Sequence, residues 1–218
     1  KNRAPQTRLA SAAMIRDILF KAKEYARKEK AGESQEFRLE LAALSRVFDG
    51  MPVQMEAMKA NDMETAVRIG EEFGLNYVLT MAYDASQVIR DLDRKDLRFI
   101  IGPLYGTSFS VEENGKSLSL GAELEKEGVH AAISTGHPEM NLEILSTQLI
   151  LMTDRGLSRK EAIRGVTAYP AEYMGISSRV GTLEPGKDAD LVIWDGDPLE
   201  YDGGVKRLFI DGEEIALS

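Results

Sequence analysis

The chain contains no cysteine. This excludes a disulfide framework, a thiolate zinc site and a cysteine nucleophile. It fits a reducing, cytoplasmic setting and leaves export open, because exported proteins can also lack cysteine. No apolar run approaches the ~18 residues of a membrane-spanning helix, so no membrane partner is expected. No Gly-x-Gly-x-x-Gly turn follows any apolar stretch, which removes the usual dinucleotide signal. Positive charge is in deficit, with 27 Lys and Arg against 36 Asp and Glu and a net charge of −9. A nucleic-acid surface needs concentrated positive charge, so no nucleic-acid partner is expected. The basic stretch 21–30 is interrupted by Glu24 and Glu29 and reads as a solvated helix face. There is no signal-peptide pattern and no initiator Met. The opening Lys1-Asn2-Arg3 reads as the start of a processed or excised piece.

What is present suffices for one large domain with a small appendage: 218 residues, 43% hydrophobic and 29% charged. Apolar residues recur near a 3.6-residue period over 9–30, predicting a helix, and a second helix is predicted over 37–48. Short apolar strands are then predicted at 52–55, 76–81, 98–101 and 129–134. Helices are predicted at 62–73, 85–92, 117–127 and 141–155. Four strand-then-helix units imply parallel strands joined by right-handed crossovers. The regular spacing favours part of an eight-stranded barrel over a doubly wound sheet. Four units leave two open sheet edges, so a partner is expected. It is either the N-terminal half of the same protein or a second chain completing the barrel, and a homo-oligomer is expected. Two short helices, 158–166 and 171–174, and strands at 190–194, 206–210 and 213–217 complete the reading, the last two joined at Asp211-Gly212.

Residues 179–198, RVGTLEPGKDADLVIWDGDP, form a turn, a Pro-Gly bend, an acidic pair and a short apolar strand closed by Asp-Gly-Asp-Pro. Together with 52–74 and Ser134-Thr135-Gly136-His137-Pro138, the segment 157–210 that contains it resembles the amidohydrolase superfamily, in its imidazolonepropionase-like and dipeptidase-like branch of metal-dependent hydrolases. The resemblance runs from about residue 51 onward. It implies an α/β fold, the C-terminal half of a (β/α)8 TIM-type barrel over 1–175, followed by strands of a small β-sandwich over 176–218. It also implies hydrolysis of an amide or cyclic carbon–nitrogen bond by a metal-bound hydroxide. The metal would bring the water pKa to about 7 and polarise the carbonyl.

The family's strand-end metal ligands are His on the fifth and sixth strands and Asp on the eighth. By the resemblance these positions fall on Glu56, Met81 and Gly136, with Met58 the second member of the fifth-strand pair. A thioether is a soft ligand unsuited to hydrolytic zinc, and glycine offers no side chain. No cofactor is therefore expected on this chain, with zinc or another divalent metal only if a rearranged site exists.

Each candidate has an ordinary reading beside its functional one. Glu56 is a candidate base or ligand, or a carboxylate paired with Lys59 or another cation at the barrel mouth. Met58 and Met81 line a pocket, or fill volume as flexible core residues. His137, between Gly136 and Pro138, is a candidate acid, base or substrate contact, or a structural residue near a helix start. His130 reads as a satisfied histidine inside an apolar strand. Tyr105, Thr107 and Ser108, in the loop GPLYGTS, are candidate substrate contacts, since barrel loops at this end carry function. Glu112-Glu113-Asn114-Gly115 reads as a solvated turn. Whether the protein is an enzyme stays open between three expectations: a non-catalytic assembly subunit, a hydrolase with a rearranged site using Glu56 and His137, and a metal-free binder of small molecules.

Overall fold

The computed structural model describes residues 5–108 and 110–217; the opening Lys1-Asn2-Arg3 lies outside them. Helix α1 (Arg8–Lys30) starts where the Thr7 hydroxyl accepts the Ala10 N–H at 3.1 Å. It ends with Arg27, Lys28 and Lys30 against the negative pole of its dipole. Helix α2 (Leu39–Ser45) continues as a 3-10 turn, Arg46–Asp49. Then come β1 (Val53–Glu56), α3 (Ala60–Phe73), β2 (Tyr77–Thr80), α4 (Ala85–Leu92) and β3 (Phe99–Ile101). After a 3-10 turn at Val111–Gly115 follow α5 (Leu120–Lys126), β4 (Ala131–Ile133), α6 (Leu145–Asp154), α7 (Arg159–Val166) and α8 (Ala168–Tyr173). Strands β5 (Leu191–Asp195), β6 (Gly204–Ile210) and β7 (Glu213–Ile215) close the chain.

The first sheet has the order β1-β2-β3-β4, and every pair is parallel. Strands that neighbour each other in sequence order, with no reversal, are the arrangement of a barrel segment rather than of a doubly wound sheet. The second sheet, β5-β6-β7, is antiparallel. The fold is thus a partial (β/α)8 barrel with an antiparallel sheet at its C-terminal end.

Strand residues alternate between two faces. Leu79, Phe99 and Ile101, each fully buried, point at the helices and form the main core with Met63, Val88, Leu120 and Met152. Each such side chain is worth about 1.5–3 kcal/mol of burial. On the other face, Gln54, Glu56, Val78, Thr80, Ile100 and Ala132 lie in register across the four strands. Val78, Ile100 and Ala132 are covered by Tyr169 and Tyr173 of α8.

Several boundaries differ from the sequence reading. Helix α5 begins at Leu120 rather than 117, because the Ser117 and Ser119 hydroxyls bond each other and Ser119 reaches Glu123. The long helix predicted over 141–155 opens as a 3-10 turn, Leu142–Ile144, capped by Asn141. Helix α8 starts ahead of Pro170, which sits in its first turn where no backbone N–H is needed. Among the described residues no helix is long and apolar enough to cross a membrane.

Candidate functional site

The C-terminal ends of β1 to β4 bring Glu56, Met58, Met81, Gly136, His137 and the loop 102–108 to one end of the sheet. The loops there are stitched together in two halves. In the first, Ala57 N–H donates to Thr80 O at 3.1 Å and Asp84 N–H to Met58 O at 3.3 Å. The Asp84 carboxylate accepts the Ala60 N–H at 3.3 Å, capping α3 from a neighbouring loop, and pairs with Lys59 at 3.3 Å. Lys59 thus serves Asp84 and not Glu56. Among the described residues Glu56 has no ion-pair partner. Met58 and Met81 pack against the main core, as expected of flexible gap-filling side chains.

In the second half, Gln148 reaches from α6 with its side chain fully buried. Its carbonyl accepts the Leu104 N–H at 2.8 Å, and its amide donates to Ser134 O at 3.1 Å. The loops after β3 and β4 are therefore held by one side chain. They approach so closely that a Cβ on Gly102 would stand 1.9 Å from Ser134 O. The Ser134 hydroxyl accepts the Gly136 N–H at 2.9 Å, closing a tight turn with Gly136 at φ +63°. A Cβ on Gly136 would stand 2.7 Å from Cδ of Pro103, itself fully buried. A side chain at position 136 is excluded by both the backbone conformation and the space.

His137 is exposed just beyond this turn, and Tyr105, Thr107 and Ser108 lie exposed along the 102–108 loop. The Ser108 hydroxyl donates to Glu113 O at 3.2 Å. Among the described residues no group of three or more His, Asp or Glu side chains converges as a metal-holding set.

Three site features escape the sequence reading. The 112–115 turn, solvated by its sequence, instead buries Glu113, whose carboxylate pairs with an equally buried Lys116 side chain. The Lys116 ammonium lies 5.4 Å from the centroid of the Tyr83 ring. The Tyr83 hydroxyl is buried with no hydrogen-bond partner among the described residues. Burial, followed by the charges of Glu139, Glu113 and Glu56, holds the Tyr83 phenol well above the usual tyrosine range. The i, i+3 spacing of Glu113 and Lys116 was a usable sequence signal. Gln148, set among apolar neighbours in LSTQLILM, was another.

His130 is not inside a strand. It precedes β4 at the opposite end of the sheet, with its side chain half exposed. Its Nδ1 lies 2.8 Å from Glu161 Oε2, and its ring stacks on Tyr169 at 4.8 Å between centroids. The Tyr173 hydroxyl donates to His130 O at 2.9 Å. This cluster fastens α7 and α8 to β4 and lies away from the strand-end loops.

The family model described as "Amidohydrolase family" matches residues 21–215. An imidazolonepropionase of Maricaulis maris is 28% identical over 171 residues, covering 77% of this chain and 41% of that protein. An imidazolonepropionase of Sphingopyxis alaskensis is 40% identical over 81 residues, covering 35% of this chain and 20% of that protein. The chain thus spans well under half the length of these relatives. Among solved structures, an amidohydrolase from Thermotoga maritima MSB8 superposes with a TM-score of 0.90 at 33% identity, covering 97% of this chain and 57% of that one. With the family model matched over most of its length and its fold shared with that structure, the chain belongs to the amidohydrolase family.

Proposed function

We propose that this chain forms the strand-end half of an amidohydrolase-type site whose metal-holding donors have been replaced. By relationship its class is hydrolysis of non-peptide carbon–nitrogen bonds, and that chemistry is impaired here. The observation that carries the reading is Gly136. The eighth-strand position that supplies a carboxylate in the family sits at φ +63°, with Pro103 filling the space of its first side-chain atom. The other strand-end positions offer one carboxylate, Glu56, and two thioethers, Met58 and Met81. Such a set does not fit zinc or a comparable divalent ion, which takes several converging nitrogen, oxygen or thiolate donors. The residues of this chain therefore do not fit the family's metal.

A second reading, a metal-independent small-molecule binder, is favoured by one observation. Among the described residues the buried Tyr83 hydroxyl has no acceptor, and a buried donor left unpaired costs free energy that a bound molecule or water can recover. Turnover of a panel of amides, lactams and cyclic imides, with added zinc and with chelator, tests the first reading. The expected result is no zinc-dependent turnover. Zinc-stimulated hydrolysis abolished by chelator overturns it.

A further inference from the structure

Glu139 brings a carboxylate back to the place where Gly136 offers no side chain. The turn after β4 closes on itself, the Glu139 N–H donating to Gly136 O at 2.9 Å. The side chain follows the backbone, and Oε2 of Glu139 lies 3.5 Å from the Cβ position of Gly136. Next in sequence, Met140 packs on the loop after β3, its Sδ 3.9 Å from the Cβ position of Gly106. Glu139 is exposed, as is Glu56 at the end of β1. Among the described residues neither carboxylate has an ion-pair partner.

A third group belongs to the same end of the sheet. Tyr83 lies in the loop after β2 and is only 2% exposed. Over its ring stands the Lys116 ammonium at 5.4 Å, already taken by Glu113. The hydroxyl has no hydrogen-bond partner among the described residues. Of the charges acting on it, that of Glu139 is the strongest, followed by Glu113 and Glu56. Such effects fall away with distance, so the covered hydroxyl stands within range of both exposed carboxylates.

The chemistry of these groups selects what they can hold. Glu139 and Glu56 repel an anion. Two carboxylates and a protonated phenol are too few donors for zinc. A neutral molecule leaves both charges uncompensated. A primary ammonium suits all three groups, with three N–H donors on a compact head and a slim stem behind it. Its head can reach a covered hydroxyl while the carboxylates balance its charge, as a desolvated cation requires. Met58 and Met81, flexible and partly buried, offer apolar surface to the stem. The net charge of −9 draws cations from solution in the same sense.

Resting on the metal-independent reading above, we propose that the strand ends bind a small organic cation, a primary ammonium on an apolar stem. The Tyr83 hydroxyl accepts one of its N–H groups, and Glu139 and Glu56 are its counter-charges. Glu139 then supplies, beside Gly136, the negative charge that a glycine cannot.

Three probes of similar shape and different charge test this on the purified protein: benzylammonium, benzyl alcohol and benzoate. Binding is read by NMR of carbon-13-labelled tyrosine, with the Tyr83 signal assigned by its loss in Tyr83→Phe. Benzylammonium is expected to shift that signal saturably at pH 7, and the other two to bind at least ~10-fold more weakly. Glu139→Gln and Glu56→Gln alter exposed side chains, so both variants should fold. Glu139→Gln should weaken benzylammonium by about 10-fold, and Glu56→Gln by less. Benzyl alcohol or benzoate bound at Tyr83 as tightly as benzylammonium overturns the cation proposal and leaves the metal-independent binder standing. Benzylammonium binding that both variants keep unchanged does the same. A Tyr83 signal that no probe moves overturns the cation proposal and the binder together.

Discussion

Pro103 Cδ occupies the space that a side chain on Gly136 would need, 2.7 Å from its Cβ position. The contact is not a loose one. Pro103 sits in the loop after β3 and Gly136 in the loop after β4, and the single buried side chain of Gln148 bonds both loops. Placing a carboxylate at 136 therefore means moving a buried ring as well as adopting a left-handed backbone with a side chain attached.

Gly136→Asp is accordingly expected to destabilise the chain by roughly 2–4 kcal/mol, from a left-handed penalty of about 1–2 kcal/mol plus overpacking. It is not expected to create zinc affinity. Urea unfolding and calorimetric titration with zinc check both parts, and micromolar zinc binding by a folded variant would falsify the packing argument.

Gln148→Leu keeps the bulk of the side chain but leaves the Leu104 N–H and Ser134 O without their partner. Each buried group left unpaired costs about 1–3 kcal/mol, so a total loss of roughly 2–6 kcal/mol is expected in chemical denaturation. Amide exchange at Leu104 should accelerate more than exchange in the strand pairs of β1 and β2.

Lys116→Met removes one member of a buried ion pair, for which a loss of about 3–5 kcal/mol is expected. Had the 112–115 turn been solvated, the same change would cost less than about 1 kcal/mol. Equilibrium unfolding of the variant separates the two.

Two tyrosines should behave differently when their hydroxyls are removed. Tyr83→Phe loses no hydrogen bond to any described residue and is expected to be neutral or stabilising by up to ~1 kcal/mol at pH 7. Tyr173→Phe loses the bond to His130 O and should cost about 1 kcal/mol.

Alkaline pH reports on the same groups. Burial foremost raises the phenols of Tyr83, Tyr169 and Tyr173 in the folded chain. Above pH ~10 the unfolded tyrosines lose protons that the folded ones keep. The unfolded state then binds fewer protons, so stability present below pH 10 falls as pH rises further. Urea midpoints between pH 8 and 11 should show this fall, with a shallower slope in Tyr83→Phe.

Much of the fold was legible because period and punctuation agreed. The strand starts near 52, 76, 98 and 129 fell within a few residues of β1 to β4, and their even spacing implied the sequential parallel order. Helix α4 was found at its observed bounds, Ala85–Leu92, where a clear apolar stripe lies between a strand and a turn. What was hidden depends on contacts between distant segments. Glu113 looks solvated in sequence because its neighbours are polar, yet it is buried and paired with Lys116, whose ammonium lies against the Tyr83 ring. His130 looks buried because VHAAIS is apolar, yet β4 begins one residue later and the imidazole turns out toward Glu161. The strand ends follow the motif, but the closure of the loops around Gly136 depends on Gln148 of α6 and on Pro103, both distant in sequence, and no local pattern reveals it.

The most direct test of the proposal that the metal donors are replaced is metal content per chain in the purified native protein, by inductively coupled plasma mass spectrometry. Zinc, manganese and iron are each expected at background level. Near-stoichiometric metal that is lost in Glu56→Gln would contradict the reading and restore a working centre at these strand ends.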